Sequence, residues 1–353
     1  MSVTVQQSCT LEPGIPKSAG ASEAATVPSP RSPAEQGVEP RGGPAAGPVV
    51  PPGRKRIAKE LVHLHDEASV LVVDWVRRGP AEFTLTVEWP ASAAGARPDP
   101  ELAAHTLRQC GLAISHAEFG VPLDHQSLLR KLDFSIAPTA RPEGNDPLLL
   151  SVDLRCSPEN ARDARGHGCE AMDFTVRAGA RTIIRARSLA TWISPGVYRR
   201  LRGAHLSPRW GDWEIPAPVA PSAVGRSRAG EVVLAATGAP DRWLLRNDPD
   251  NKEMFDHPVD HVPGLGLFTA ACQAARAART AASAGDLPAG TVDVTMAYSR
   301  YVEFDAPCFL ETTETAGTAE TAFAAESVEV TGVQEGEVAF RIGLRRGAGS
   351  LTD

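Results

Sequence analysis

The stretch LGLFTAACQAARAA, residues 265 to 278, narrows the possible folds more than any other part of this chain. It has a helical period yet is apolar nearly all round, so a helix built from it has to be enclosed rather than laid on a surface. A curved sheet can enclose it, and the sequence that follows supplies one. TVDVTMAYSRYVEF, CFLETTETAG, TAFAAESVEVTG and EVAFRIGLRR are rich in strand-forming residues and separated by turn formers.

The same order of elements occurs once before. ASVLVVDWV and AEFTLTVEW, joined by RRGP, read as a hairpin. A helical period then runs over 101–118, with Asp99 as N-cap, Pro100 in the first turn and Gly120 near the stop. LLRKLDFSIAP, LLLSVDLRC, AMDFTVRAG and TIIRARSLATWIS follow as extended segments. In the second half EVVLAATG and DRWLLRND precede a helix over 264–283. One long helix with trailing strands, present twice, predicts an α+β protein of tandem (double) hotdog fold, in which two curved antiparallel sheets each wrap a central helix. The expected boundaries are a first domain over 54–198, a Pro-, Gly- and Arg-rich linker over 199–229 and a second domain over 230–347. Residues 1–53 are Pro, Gly and Ala with few large apolar groups, and are expected to form a disordered tail.

Composition removes several classes of function. The net charge is −7 and the one basic run, RKRIAKE, is short, so a nucleic-acid footprint is missing. MSVTVQQSCT lacks a basic and an apolar leader region, and no apolar run is long enough to span a bilayer, so a cytoplasmic protein without a membrane partner is expected. The six cysteines, at 9, 110, 156, 169, 272 and 308, contain no CxxC spacing, which argues for free thiols over structural zinc.

Two places carry candidate chemistry. On the first helix His105, Arg108, Gln109 and His116 project to one side. Such a stripe is either a solvated face or, on an enclosed helix, a ligand-facing one, where His105 would act as base and Arg108 would hold an anion. On the second helix Thr269, Cys272 and Gln273 share a side, and Cys272 reads either as a small buried thiol or as a nucleophile activated by His257 or His261. Just ahead of it lies FDHPVDHVPG, residues 255 to 264. His257 and His261 have a chelating spacing on a helix, but Pro258 and Pro263 break that geometry, so no metal is expected. Pro263-Gly264 suits a helix start whose free amides can hold a thioester carbonyl. Asp256 and Asp260 are read as making local turn and cap bonds.

VHLHDEASVLVVDW, LRQCGLAISHAEFGVPL, VVLAATGAPDRWLLRNDPD, FDHPVDHVPGL and YVEFDAPC, in this order, resemble the A-factor biosynthesis hotdog family (AfsA-like proteins). The resemblance implies a β-ketoacyl transferase of γ-butyrolactone or butenolide signal synthesis, without a cofactor. Its substrates would be an acyl carrier protein thioester and dihydroxyacetone phosphate, and its protein partners a second copy of itself or a paralogue. Where the family has glutamate, this chain has His105 and Thr269; where the second helix has arginine, it has Cys272. A non-catalytic relative that binds an acyl chain or lactone, and a hotdog dehydratase or thioesterase, are the alternatives.

Overall fold

The computed structural model describes residues 56–90, 99–137, 147–159, 169–282, 291–315 and 327–347. The tail expected over 1–53 lies outside the described residues. The first half opens with the hairpin β1 (Val72–Gly79) and β2 (Glu82–Trp89), then α1 (Pro100–Ala117), then β3 (Gln126–Ile136), β4 (Leu148–Glu159), β5 (Cys169–Ala178) and β6 (Arg181–Ile193). A short α2 (Pro195–Arg202) leads into the second half: β7 (Leu234–Ala236), β8 (Arg242–Leu245), α3 (Gly264–Ala282), β9 (Thr291–Tyr298), β10 (Cys308–Thr315), β11 (Ser327–Gln334) and β12 (Glu337–Gly347).

The two sheets are joined edge to edge. The described strands form one 12-stranded antiparallel sheet in the order β1-β2-β4-β5-β6-β3-β9-β12-β11-β10-β8-β7. Reading outward from the central β3–β9 pair, where Phe134 faces Val294, the order of each half mirrors the other. α1 starts where capping chemistry predicts: Asp99 accepts from the amides of Glu101 and Leu102, with Pro100 at the first helical position. Both helices are enclosed. Ala103, Ala104, Leu107, Cys110 and Ile114 of α1, and Leu267, Phe268, Ala270, Ala271 and Ala274 of α3, belong to one continuous apolar core. Small residues let the helices approach the sheet closely: a Cβ on Gly111 would stand 3.0 Å from the Met172 sulfur. The halves interlock at the seam, where the Phe134 ring meets that of Phe268 edge to face at 6.1 Å.

A pair of glutamines repeats the same bonds in each half. The Gln109 side chain accepts from the Leu71 amide at 2.7 Å and donates to the Ser69 carbonyl at 2.9 Å. Gln273 accepts from Val233 at 3.0 Å and donates to Glu231 at 2.8 Å. These bonds set the two halves in register: Gln109 corresponds to Gln273, Arg108 to Cys272, His105 to Thr269, and the turn Lys59–Val62 to the turn Pro221–Val224. Residues 199–229, read from the sequence as a linker, contribute to the core of the second half. Trp213 stacks on Phe304 at 4.5 Å, Trp210 meets Phe255 at 5.2 Å, and Arg202 is 2% exposed.

Candidate active site

α1 has no solvated polar face. Gln109 and His116 are buried and His105 and Arg108 half-buried, so the stripe faces the interior. Gln109 and Gln273, expected to touch substrate, spend both ends of their amides on the backbone and serve instead to fix the chain ahead of β1 and β7.

The stripe is met by a segment that periodicity does not single out, VHLHDE at 62–67. The turn Lys59–Val62 ends on His63 in the left-handed region (φ 54°, ψ 46°), which turns its ring onto α1. His63 Nε2 lies 2.8 Å from His116 Nε2, and His116 Nδ1 lies 2.8 Å from the Val121 carbonyl. The Trp192 ring packs edge-on against His116 at 4.9 Å. Two residues on, the His65 ring stacks on His257 at 3.9 Å. Asp256 accepts from the amides of His65 (2.5 Å) and Asp66 (3.1 Å), and its Oδ2 stands 3.0 Å from His257 Nδ1. Two of the bonds of Asp256 are therefore long-range, beyond the local bonds expected and found at His257; they clamp FDHPVDHVPG to the first half.

Arg108 lies beside this cluster, with one hydrogen bond among the described residues, from Nη1 to the Val62 carbonyl at 3.3 Å. Among the described residues no carboxylate forms an ion pair with it. Burial lowers its pKa to about 10, opposed by Asp256, so it stays a cation at neutral pH. Burial, and behind it the Arg108 charge, push His63 and His105 down to about 4, which keeps both rings neutral.

The other end of FDHPVDHVPG is held separately. Asp260 accepts from Tyr198 Oη (2.7 Å), from Arg202 Nε (3.0 Å) and lies 2.8 Å from His261 Nδ1. Arg202 continues to Glu303 (2.7 Å). His257 and His261 thus attach to different partners, and among the described residues no group of three or more His, Cys, Asp or Glu could hold a metal. Pro263 closes the loop: its carbonyl accepts the first bond of α3, from the Leu267 amide at 3.0 Å. The amides of Gly264, Leu265 and Gly266 precede that bond and have no acceptor within the helix. Gly264 is packed on Tyr298, whose hydroxyl donates to the Gly264 carbonyl at 2.7 Å.

The equivalent place in the second half is filled differently. Arg226 Nη2 donates to both oxygens of Glu101, each at 2.9 Å, and Thr269 donates to Glu101 Oε2 at 2.8 Å. Glu101, which the sequence analysis does not single out, thus brings a carboxylate to Thr269 from the other half. Burial, helped by Glu101 and Asp99, holds the Cys272 thiol well above its ordinary range. Among the described residues His257 and His261 pair with Asp256 and Asp260 rather than with Cys272, whose charged neighbours are Glu101, Asp99 and Arg226.

A continuous antiparallel sheet wrapped on two central helices, with a polar side-chain cluster where each helix meets the opposite half, defines a double-hotdog protein. The family model for the A-factor biosynthesis hotdog domain matches residues 49–194 and 211–346, and the chain belongs to that family. It is 37% identical over 303 residues to a 2-oxo-3-(phosphooxy)propyl 3-oxoalkanoate synthase of Streptomyces virginiae, covering 83% of this chain and 98% of the relative. A protein of the same name from Streptomyces coelicolor is 33% identical over 288 residues, covering 79% and 88% respectively. Among solved structures, the 12:0-ACP thioesterase from Umbellularia californica aligns with a TM-score of 0.44 and 14% identity, covering 75% of this chain and 93% of that one. No helix among the described residues is long and apolar enough to cross a membrane.

Proposed function

We propose that the chain transfers a 3-oxoacyl group from a carrier-protein thioester to the hydroxyl of dihydroxyacetone phosphate. The relatives' name describes such an ester, a 3-oxoalkanoate joined to a phosphorylated three-carbon ketone. The observation that carries the reading for this chain is Arg108, a half-buried, largely desolvated guanidinium with a single carbonyl partner among the described residues, since a desolvated cation without an anion is a costly arrangement unless a substrate supplies one. The phosphate is that anion. In this reading the α3 amides at Gly264 and Leu265 take the thioester carbonyl oxygen, where negative charge develops as the hydroxyl attacks. His105 and His257 stand with His63 in the cluster around Arg108, and the hydroxyl proton passes to an imidazole of this set. His261 and Pro263 shape the loop that presents α3, while Thr269 and Cys272 belong to the other pocket.

The test is direct. Purified protein is incubated with a 3-oxoacyl carrier-protein thioester and dihydroxyacetone phosphate, and products are followed by mass spectrometry. The phosphorylated ester is expected, together with free carrier thiol. The non-catalytic alternative draws on Thr269 and Cys272 replacing the acid and the arginine, and predicts binding of thioester or lactone with no ester formed.

A further inference from the structure

We propose that His63 takes the proton of the attacking hydroxyl on its Nδ1, and that His116 is a positioning residue that locks the His63 ring in the tautomer able to do so. This rests on the transfer reaction proposed above.

The lock follows from hydrogen-bond bookkeeping along three groups. The Val121 carbonyl can only accept, so His116 Nδ1, at 2.8 Å, carries the proton and donates. In a neutral His116 ring Nε2 is then a bare acceptor. His63 Nε2, 2.8 Å away, must therefore donate to it, which leaves the His63 Nδ1 lone pair unprotonated. Among the described residues nothing hydrogen-bonds that Nδ1. Among the described residues, the charged and titratable groups that act on His63 are Arg108 and His116 from α1 and His257 from the loop ahead of α3. Arg108, the group assigned to the phosphate, donates to the carbonyl of Val62, the residue before His63, so the bare nitrogen and the bound substrate are neighbours.

The backbone gives an independent reason. His63 occupies the left-handed region (φ 54°), where a side chain is disfavoured; at the equivalent position in the second half the chain has Gly225 (φ 69°). The first half keeps an imidazole where glycine is the unstrained choice, as expected when the strain is retained for a functional group. His105 lacks the arrangement, since among the described residues no partner fixes either of its ring nitrogens. His257 is fixed through Nδ1 by Asp256 with its ring stacked on His65, and is the competing base that the H63Q kinetics separate from His63.

In the step, the hydroxyl proton moves to His63 Nδ1 as the oxygen–carbon bond forms at the thioester carbonyl. Collapse of the tetrahedral adduct breaks the carbon–sulfur bond, the same proton goes to the leaving sulfur, and His63 returns to its neutral form.

His63→Gln is the informative variant, because its amide can still donate to His116 while offering no basic nitrogen. In the full-length protein, kcat is expected to fall by about 100-fold or more, with KM for dihydroxyacetone phosphate within about threefold of wild type because Arg108 is untouched. A kcat within about threefold of wild type in a folded H63Q protein overturns the assignment. Independently of that variant's folding, nitrogen NMR of the wild-type imidazoles should show His63 protonated at Nε2 and bare at Nδ1 near neutral pH, and His116→Phe should release this preference. A His63 proton found on Nδ1 overturns the lock. Wild-type protein that binds thioester yet forms no ester overturns the reaction itself, whereas active wild type with active H63Q removes only His63.

Discussion

The two halves of this molecule place the same scaffold around opposite electrostatics. In the first, Arg108 is a cation with one carbonyl partner, surrounded by neutral imidazoles. In the second, the equivalent residue is Cys272, and the nearby cation, Arg226, is bound by Glu101. One pocket still has a charge to satisfy; the other has satisfied its own. Duplication preserved the enclosure of each helix, which is a requirement of folding, and let the polar residues diverge, because chemistry is needed only once. The pair Glu101–Arg226 also joins the halves, since its acid comes from α1 and its base from the segment ahead of β7.

This comparison can be broken most severely at its cations. Arg108→Met should lower kcat/KM for dihydroxyacetone phosphate by about 100- to 1000-fold, whereas Cys272→Ser should change it by less than about threefold, as expected of a thiol that only fills space; steady-state kinetics of the two variants checks both. Arg226→Met should act on stability instead. It leaves Glu101 without its cation, and because both groups keep about a fifth of their side-chain surface exposed (23% and 22%) the cost should be roughly 2–3 kcal/mol, below that of a fully buried pair, measured by urea unfolding. Gln109→Ala and Gln273→Ala test where the halves agree: each strands a buried amide and a carbonyl and should cost about 2 kcal/mol, with similar values at the two positions. Gly225→Ala should cost about 1 kcal/mol, since φ is positive there and the added carbon would stand 2.5 Å from the flexible Arg276 side chain.

The neutral imidazoles also predict a dependence on pH. His63 and His105 titrate near 4 in the folded chain, below their ordinary value of 6.5. Between those limits the unfolded state binds more protons than the native state, so stability rises with pH from about 4 to 6.5 and is level above. Chemical denaturation across that range should show the slope, and it should shrink in His105→Gln. An unchanged slope would mean that the rings are not buried in neutral form.

Local features of the fold were legible in the sequence. Asp99 and Pro100 mark the start of α1 because capping is decided by neighbours in the chain, and the repeat of helix and meander is visible because periodicity is local. The candidate site was legible only in part. Arg108, His116 and His257 carry recognisable residue types on a helix or in a motif. His63 and His65 lie in a short segment without a period, and they become a site by meeting His116 and His257 across the fold. Asp256 looked local because aspartate is common in turns, yet its acceptors serve amides from the far end of the chain. The glutamines looked like ligand contacts because a polar residue on an enclosed helix needs a partner; the partner is backbone, which residue type alone does not distinguish.

The central claim is that one of the two equivalent polar clusters, the one around Arg108, binds an anion. Calorimetric titration with dihydroxyacetone phosphate tests it most directly. One site per chain, abolished in Arg108→Met and retained in Cys272→Ser, is the expected result. Two sites per chain, or a site that survives the loss of Arg108, would contradict it.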